Sequence, residues 1–218
     1  MTLIFLVGPI AVNTEPIDKM SVNVNSKTIL NCSSEANPKP DYQWLQKLSS
    51  GQVRRRGSEA SLVIGDTGYA DQGEYTCVAS NTIGGKQKKV QSEVVTVQVK
   101  GVPQVKVEDG DVVGITGSEV TLEKEFCSDP VPLRNTWEWD GVVLPSGSEI
   151  EGRYRAELMS HPEKEDCYIS RLVVRGVKMG DGRTYILNVE NKHGRDTARV
   201  ELKTEGTFND FQSIYIFM

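Results

Sequence analysis

Histidine is nearly absent from this chain: two residues in 218, His161 and His193. Cysteine is scarce too. The four present, Cys32, Cys77, Cys127 and Cys167, nowhere adopt a metal-ligand spacing such as C-x-x-C. Those two shortages exclude an ordinary zinc site. Asp109-Gly110-Asp111 resembles the start of a calcium loop but lacks the later ligands, so it reads as a turn. No G-x-S-x-G, H-E-x-x-H, P-loop or glycine-rich dinucleotide turn occurs. Neither enzyme activity nor a cofactor is expected. Basic residues are outnumbered, 25 Lys+Arg against 30 Asp+Glu, and the net charge of -5 argues against nucleic acid as a partner. Long apolar runs are missing. Leu3 to Val7 is short, has no basic residue before it and meets Pro9, which makes a poor secretory signal. At the other end, Ile214 to Met218 falls far below the ~20 residues of a membrane helix, so no transmembrane segment is expected in this chain.

What is present suits packed domains: 38% hydrophobic and 25% charged residues. The charge is uneven. Residues 1–100 carry 11 Lys+Arg and 9 Asp+Glu, net +2, and the remainder carry 14 and 21, net -7. The cysteines fall two per half at wide spacing, which fits disulfides and an oxidising compartment. Cysteines suited to export, with no clear export signal, point to a fragment or truncated isoform whose parent belongs at the cell surface.

Helical periodicity is hard to find. Short alternating runs recur instead, at Thr28–Cys32, Ser61–Ile64, Glu93–Val99, Glu119–Leu122, Leu172–Val174 and Arg199–Leu202. Turn residues separate them, which reads as an all-β sandwich or barrel. The pattern also repeats. Each half runs through an apolar strand, a Pro-x-Pro bend, a Trp, a Leu-Val pair, an Asp-x-Gly or Asp-Gly, a Tyr and a hairpin. The hairpins are assigned to Asn81-Thr82-Ile83-Gly84 and Asn191-Lys192-His193-Gly194. Two β-sandwich domains are expected, at residues 9–100 and 103–204, joined near Lys100-Gly101-Val102-Pro103 and followed by an irregular tail, 205–218.

In the first half Cys32, Trp44 and Cys77 form an informative trio, with Tyr75 two places before the second cysteine. In a two-sheet sandwich, cysteines on the two inner faces can join across the core. A Trp packs on that bridge, and the Tyr pins a corner through its hydroxyl. Closing a loop of this size is worth ~4 kcal/mol in the chain-entropy account. The run Asp71-Gln72-Gly73-Glu74-Tyr75-Thr76-Cys77, with Cys32, Trp44 and the Asn37-Pro38-Lys39-Pro40 bend, resembles an immunoglobulin domain of the intermediate (I-set) type. The resemblance implies two tandem immunoglobulin-like β-sandwiches and a role in recognition.

The second half keeps that frame with substitutions. Trp137-Glu138-Trp139-Asp140-Gly141 is similar to the W-x-x-D-G turn, which makes Trp137 the core Trp and Tyr185 the corner tyrosine. Leu187 then occupies one inner cysteine position and Lys124 falls near the other, so the usual bridge is absent. Parity places the remaining cysteines. If Leu122 and Leu172 face each other across the neighbouring strands B and E, the index sum is 294, and Cys127 with Cys167 gives 294 as well. An intrasheet disulfide on the outer side of one sheet is expected. The runs Gly152–Ala156, Cys167–Leu172 and Tyr185–Asn191 resemble the membrane-proximal domain of insect fasciclin-III-type adhesion molecules. That resemblance implies a neural or epithelial surface adhesion protein.

Asp71 and Asp181 are expected to pair with arginines: one of Arg54, Arg55 and Arg56 for the first, and Arg153 or Arg155 for the second. Both histidines are expected to be solvated. Arg54, Arg55, Arg56 and Lys86, Lys88, Lys89 make two basic clusters, read either as solvated strand edges or as a patch for an acidic partner such as heparan sulfate or the acidic half of another copy. Asn31-Cys32-Ser33 is the one N-glycosylation sequon, with Asn31 on an outer face. Its middle cysteine and its strand location both lower its expected use. The apolar C-terminal end is read as an irregular tail, with a docking segment as the alternative, and is an aggregation risk if exposed. The function expected is binding of other protein ectodomains, homophilic or heterophilic, in cell adhesion. The alternatives are an intracellular sarcomeric spacer and a soluble immune or decoy protein.

Overall fold

The computed structural model describes residues 6–106, 110–161 and 166–206. The expectations for Leu3 to Phe5, Asp109 and the tail after Gly206 lie outside the described residues. The chain divides into two compact units, Met1–Lys100 and Gly101–Met218, each with its own core.

Unit one has nine strands: β1 (Asn13–Glu15), β2 (Lys19–Asn23), β3 (Thr28–Ser33), β4 (Asp41–Lys47), β5 (Val53–Gly57), β6 (Ser61–Ile64), β7 (Gly73–Ile83), β8 (Lys86–Gln91) and β9 (Val95–Lys100). They form two sheets, β1-β3-β6 and β2-β9-β7-β4-β5, with β8 paired to β7. All pairings are antiparallel except β2 with β9. Residues alternate between core and solvent along β3, where Thr28, Leu30 and Cys32 are buried and Ile29, Asn31 and Ser33 exposed. Along β9, Val95, Val97 and Val99 face inward. Alternation of this kind is what a half-buried strand needs to bury one face.

Unit two has ten: β10 (Gln104–Val105), β11 (Val112–Ile115), β12 (Val120–Cys127), β13 (Arg134–Trp139), β14 (Val142–Pro145), β15 (Glu149–Ile150), β16 (Tyr154–Ala156), β17 (Cys167–Val174), β18 (Arg183–Asn191) and β19 (Gly194–Glu205). Its sheets are β10-β12-β17-β16-β15 and β11-β19-β18-β13-β14. Between them lies a contiguous core that includes Leu122, Phe126, Trp137, Trp139, Leu172, Tyr185, Leu187 and Val189.

One hairpin differs from its expected form. Asn81 is not in the turn of the first unit. It sits in the β7–β8 ladder opposite Lys88, and the turn is Gly84-Gly85. Both glycines have positive φ, +55° and +75°, which favours glycine over residues with a Cβ. Asn81 is buried, and its Nδ2 donates to the carbonyls of Val7 and Pro38 at 3.0 and 3.1 Å. Asn191 does the same in unit two, donating to Gly101 O, Ser128 Oγ and Pro130 O. The two asparagines therefore tie a long hairpin strand to the proline bend and the entering chain.

Candidate functional site

The scaffold of unit one is built around the Cys32–Cys77 disulfide, whose Cα atoms are 6.4 Å apart. Trp44 is fully buried and lies opposite Cys77 in the β4–β7 ladder. Tyr75 donates its hydroxyl proton to Asp71 O at 2.7 Å, and burial pushes its pKa well above the ordinary tyrosine value. Arg56 is the arginine that pairs with Asp71, at 2.6 Å. Its other nitrogen donates to Gln46 Oε1, and Gln46 Nε2 donates to Ala70 O and Gln72 O. Gln46 is a fully buried amide whose acceptor and donor are both used, as the cost of stranding a buried polar group demands.

Unit two replaces both centres. Trp137 lies opposite Leu187 where Trp44 lies opposite Cys77. Lys124 is buried opposite Ser170 in β17. Beside them Trp137 Nε1 donates to Ser170 Oγ at 3.0 Å, and Ser170 Oγ donates to Asn135 Oδ1 at 2.9 Å. A short polar chain thus stands where a sulfur bridge crosses unit one. Trp139 takes the position of Gln46, two residues past the core Trp, and packs on Tyr154 and Tyr185 at 4.9 and 5.4 Å between ring centroids. Asp181 accepts from Arg153, Tyr154 and the Lys178 backbone N–H at 2.6, 2.6 and 2.8 Å. Burial pushes its carboxyl up, but those three donors together outweigh burial and hold it below the usual range. Burial pushes the corner hydroxyl of Tyr185 up, and it donates to Asp181 O. Arg155 pairs with Glu157 instead.

Cys127 and Cys167 are opposite each other in the β12–β17 ladder and are bonded, with Cα atoms 3.9 Å apart. Neither belongs to the contiguous core. Their face of the sheet is the one that carries Glu123 and Glu125, and a Glu125 carboxylate oxygen lies within 4.8 Å of both sulfurs. The pair is nonetheless shielded, at 7% and 4% exposure, so an outer face here does not mean a solvated one. Both histidines are exposed: the His161 ring lies 4.5 Å from that of Tyr168, and His193 donates its backbone N–H to Asn191 Oδ1.

The six basic residues do not form one patch. Arg56 is turned inward to Asp71 and Gln46, where a partly buried carboxylate and an amide oxygen accept from its guanidinium. Lys88 keeps its head exposed while its Cβ and Cγ lie over Gly8. Arg54 and Arg55 remain exposed on the edge strand β5, and Lys86 and Lys89 on β8. With β7 and β4 between them, strand spacing and rise put the two groups about 20 Å apart. Between them lies a short uncharged strip: Gln43, Val78 and Gln91 lie side by side across β4, β7 and β8, with Leu45 beside Thr76 one step along. Charged residues close the strip at both ends, Asp41 opposite Ser80 at one and the Lys47–Glu74 ion pair at the other. Asn31 is exposed on the opposite sheet, paired with Glu15 and Ser61.

A family described as Immunoglobulin domain matches residues 11–81. Human vascular cell adhesion protein 1 is 31% identical over 217 residues, covering 84% of this chain and 29% of that protein. The mouse basement membrane-specific heparan sulfate proteoglycan core protein is 29% identical over 204 residues, covering 91% of this chain and 5% of that protein. The chain therefore spans less than a third of the length of these curated relatives. Among solved structures, Dpr2 Ig1-Ig2 in complex with DIP-Theta Ig1-Ig3 is similar at a TM-score of 0.51 and 21% identity, covering 92% of this chain and 66% of that one. With a disulfide inside each of its two sandwiches and these matches, the chain belongs to the immunoglobulin superfamily as a protein of tandem immunoglobulin domains.

Proposed function

We propose that this chain is part of a cell-surface recognition ectodomain that binds other protein ectodomains in cell adhesion, without catalysis. The observation that carries this reading is the outer face of the β2-β9-β7-β4-β5 sheet. An uncharged strip, Gln43, Leu45, Thr76, Val78 and Gln91, is flanked by separate basic groups on β5 and β8, with Asp41 at one end and the self-neutralised Lys47–Glu74 pair at the other. A flat strip that can be desolvated at low cost, bordered by charges that steer an acidic partner, is what a protein interface requires. Two disulfides favour an extracellular setting over an intracellular spacer. The similarity to an adhesion protein supports the same reading.

The test coats beads of two colours with the full chain and mixes them with each other and with cells. Clumping of beads alone indicates homophilic binding, and capture only by cells indicates a different ectodomain. Leu45→Arg on the strip is expected to reduce capture at least ten-fold, while Val63→Arg on the opposite sheet leaves it unchanged. Equal effects of both, or none from Leu45→Arg, would move recognition away from this face. Capture lost after heparinase treatment of the cells would assign the basic groups to heparan sulfate.

A further inference from the structure

Asn31 begins the one Asn-x-Ser/Thr sequence in 218 residues. It sits in β3 with its flanking residues, Leu30 and Cys32, turned into the core and its own side chain turned out. The two polar atoms of its amide are in different situations. Oδ1 accepts a hydrogen bond from Ser61 Oγ at 2.7 Å, which fixes the plane of the amide. Among the described residues Nδ2 makes no hydrogen bond, and it is the atom that carries the sugar in an N-linked glycan. Ser33, the sequon hydroxyl, is exposed on the same face. A substituent on Nδ2 would therefore cost no existing bond and enter no packed space.

The surroundings give such a substituent something to cover. Ile29 and Val63 are directly opposed across β3 and β6, and they are 42% and 53% exposed. They lie one step along the same face, about 7 Å from Asn31. Val63 lies on β6, an edge strand of this three-stranded sheet, so the exposed apolar pair sits beside an unpaired strand edge that another chain could join.

We propose that Asn31 is an N-glycosylation site and that the proximal sugars of its glycan cover Ile29 and Val63. The donor is an oligosaccharide carried on a polyisoprenyl pyrophosphate. Asn31 Nδ2 forms a bond to the anomeric carbon, the bond from that carbon to the pyrophosphate oxygen breaks, and the lipid pyrophosphate leaves with the electron pair. One amide proton passes to a base of the transferase, and nothing is oxidised or reduced. In the folded chain β3 is paired on both sides, with β1 and β6. The transfer therefore takes place on the extended chain, before the sheet closes and before Cys32 joins Cys77. That order removes the hindrance of the strand and of the middle cysteine.

The experiment expresses the full chain behind a cleavable export leader in eukaryotic cells. The intact mass of the intracellular and secreted material is read before and after peptide-N-glycosidase. The expected result is a mass excess of one oligosaccharide, removed by the enzyme and mapped by peptide mass spectrometry to the Asn31 peptide. Asn31→Gln and Ser33→Ala each abolish it, and Ser33→Thr retains it. An unmodified wild-type mass in both fractions overturns the site. The covering role is read separately on folded wild-type protein. Enzymatic removal of the glycan is expected to raise binding of an apolar fluorescent dye several-fold, and Ile29→Thr with Val63→Thr to abolish that rise. Equal dye binding before and after removal overturns the cover and leaves the modification standing.

Discussion

At the scale of single residues, the two units show alternative solutions to one problem, how to fill the space beside the core tryptophan. In unit one a disulfide and Gln46 fill it. In unit two Leu187, Lys124 and the Trp137–Ser170–Asn135 chain do so. Ser170→Ala would leave the buried Trp137 indole N–H and the Asn135 side-chain carbonyl without these partners. It is expected to cost about 1–3 kcal/mol, read as a lower urea midpoint at unchanged slope. Asp181 makes the opposite kind of statement, about pH. Its folded pKa lies below its unfolded value of about 3.9, so its contribution is complete above that value. That contribution is lost as pH falls through the folded pKa. The melting temperature of the wild type should therefore fall more steeply below pH 4 than that of Asp181→Asn, which at neutral pH is destabilised by roughly 3 kcal/mol. Parallel acid profiles would remove the carboxylate from this role. Trp44, Cys77 and Tyr75 are legible in the sequence because few residue types serve those roles at that spacing. Gln46, Ser170, Asn81 and Asn191 are not, because polar side chains ordinarily lie outside. Strand parity was the available signal: Gln46 is two places past Trp44, and Asn81 is four past Cys77, both inward positions.

At the scale of elements, the β12–β17 pair shows what a constant index sum can and cannot carry. Register is a property of the backbone ladder, so Leu122 with Leu172 sets Cys127 against Cys167 across eight paired positions. Shielding is a property of what lies over the ladder, and no count along one strand contains it. The hairpins divide in the same way. A Gly-Gly pair marks a turn by its backbone freedom, whereas the Asn...Gly form shared by the two halves places Asn81 in the turn when it belongs to the ladder. The disulfide's contribution can be separated from that of the ladder. Cys127→Ser with Cys167→Ser is expected to lower unfolding stability by ~2–4 kcal/mol while keeping the register. Hydrogen exchange should quicken in Val120–Cys127 and Cys167–Val174 with the same amides remaining the slowest. If the slow amides moved to alternate positions, the bond rather than the apolar pattern would be setting the register.

At the scale of the whole molecule, a net charge of -5 conceals a division into +2 and -7 that two copies of the chain, or this chain and an acidic partner, can exploit. The internal repeat made the two units legible, because each copy carries its own turn and core signals. The proposed binding surface was not, because Arg54, Arg55 and Arg56 look alike in sequence and only the fold separates them. Arg56 is consumed by Asp71, which leaves Arg54 with Arg55 on one edge and Lys86 with Lys89 on the hairpin. The groups are about 20 Å apart, twice the screening length of about 10 Å at 0.1 M salt, so each should act on an approaching partner independently. Long-range charge of this kind governs encounter more than residence. Arg54→Glu with Arg55→Glu, and separately Lys86→Glu with Lys89→Glu, should each slow association several-fold with little change in dissociation. Combining the four changes should multiply the two effects. Lys88 is kept because its stem packs over Gly8. Surface plasmon resonance against the ectodomain captured in the bead assay, from 0.05 to 0.5 M salt, checks this. The differences between wild type and variants should shrink toward none at the high-salt end, where screening has removed the field that the substitutions reverse. Variants that instead speed dissociation equally at every salt concentration would place the basic side chains in the contact itself, and the acidic partner would then be held rather than steered.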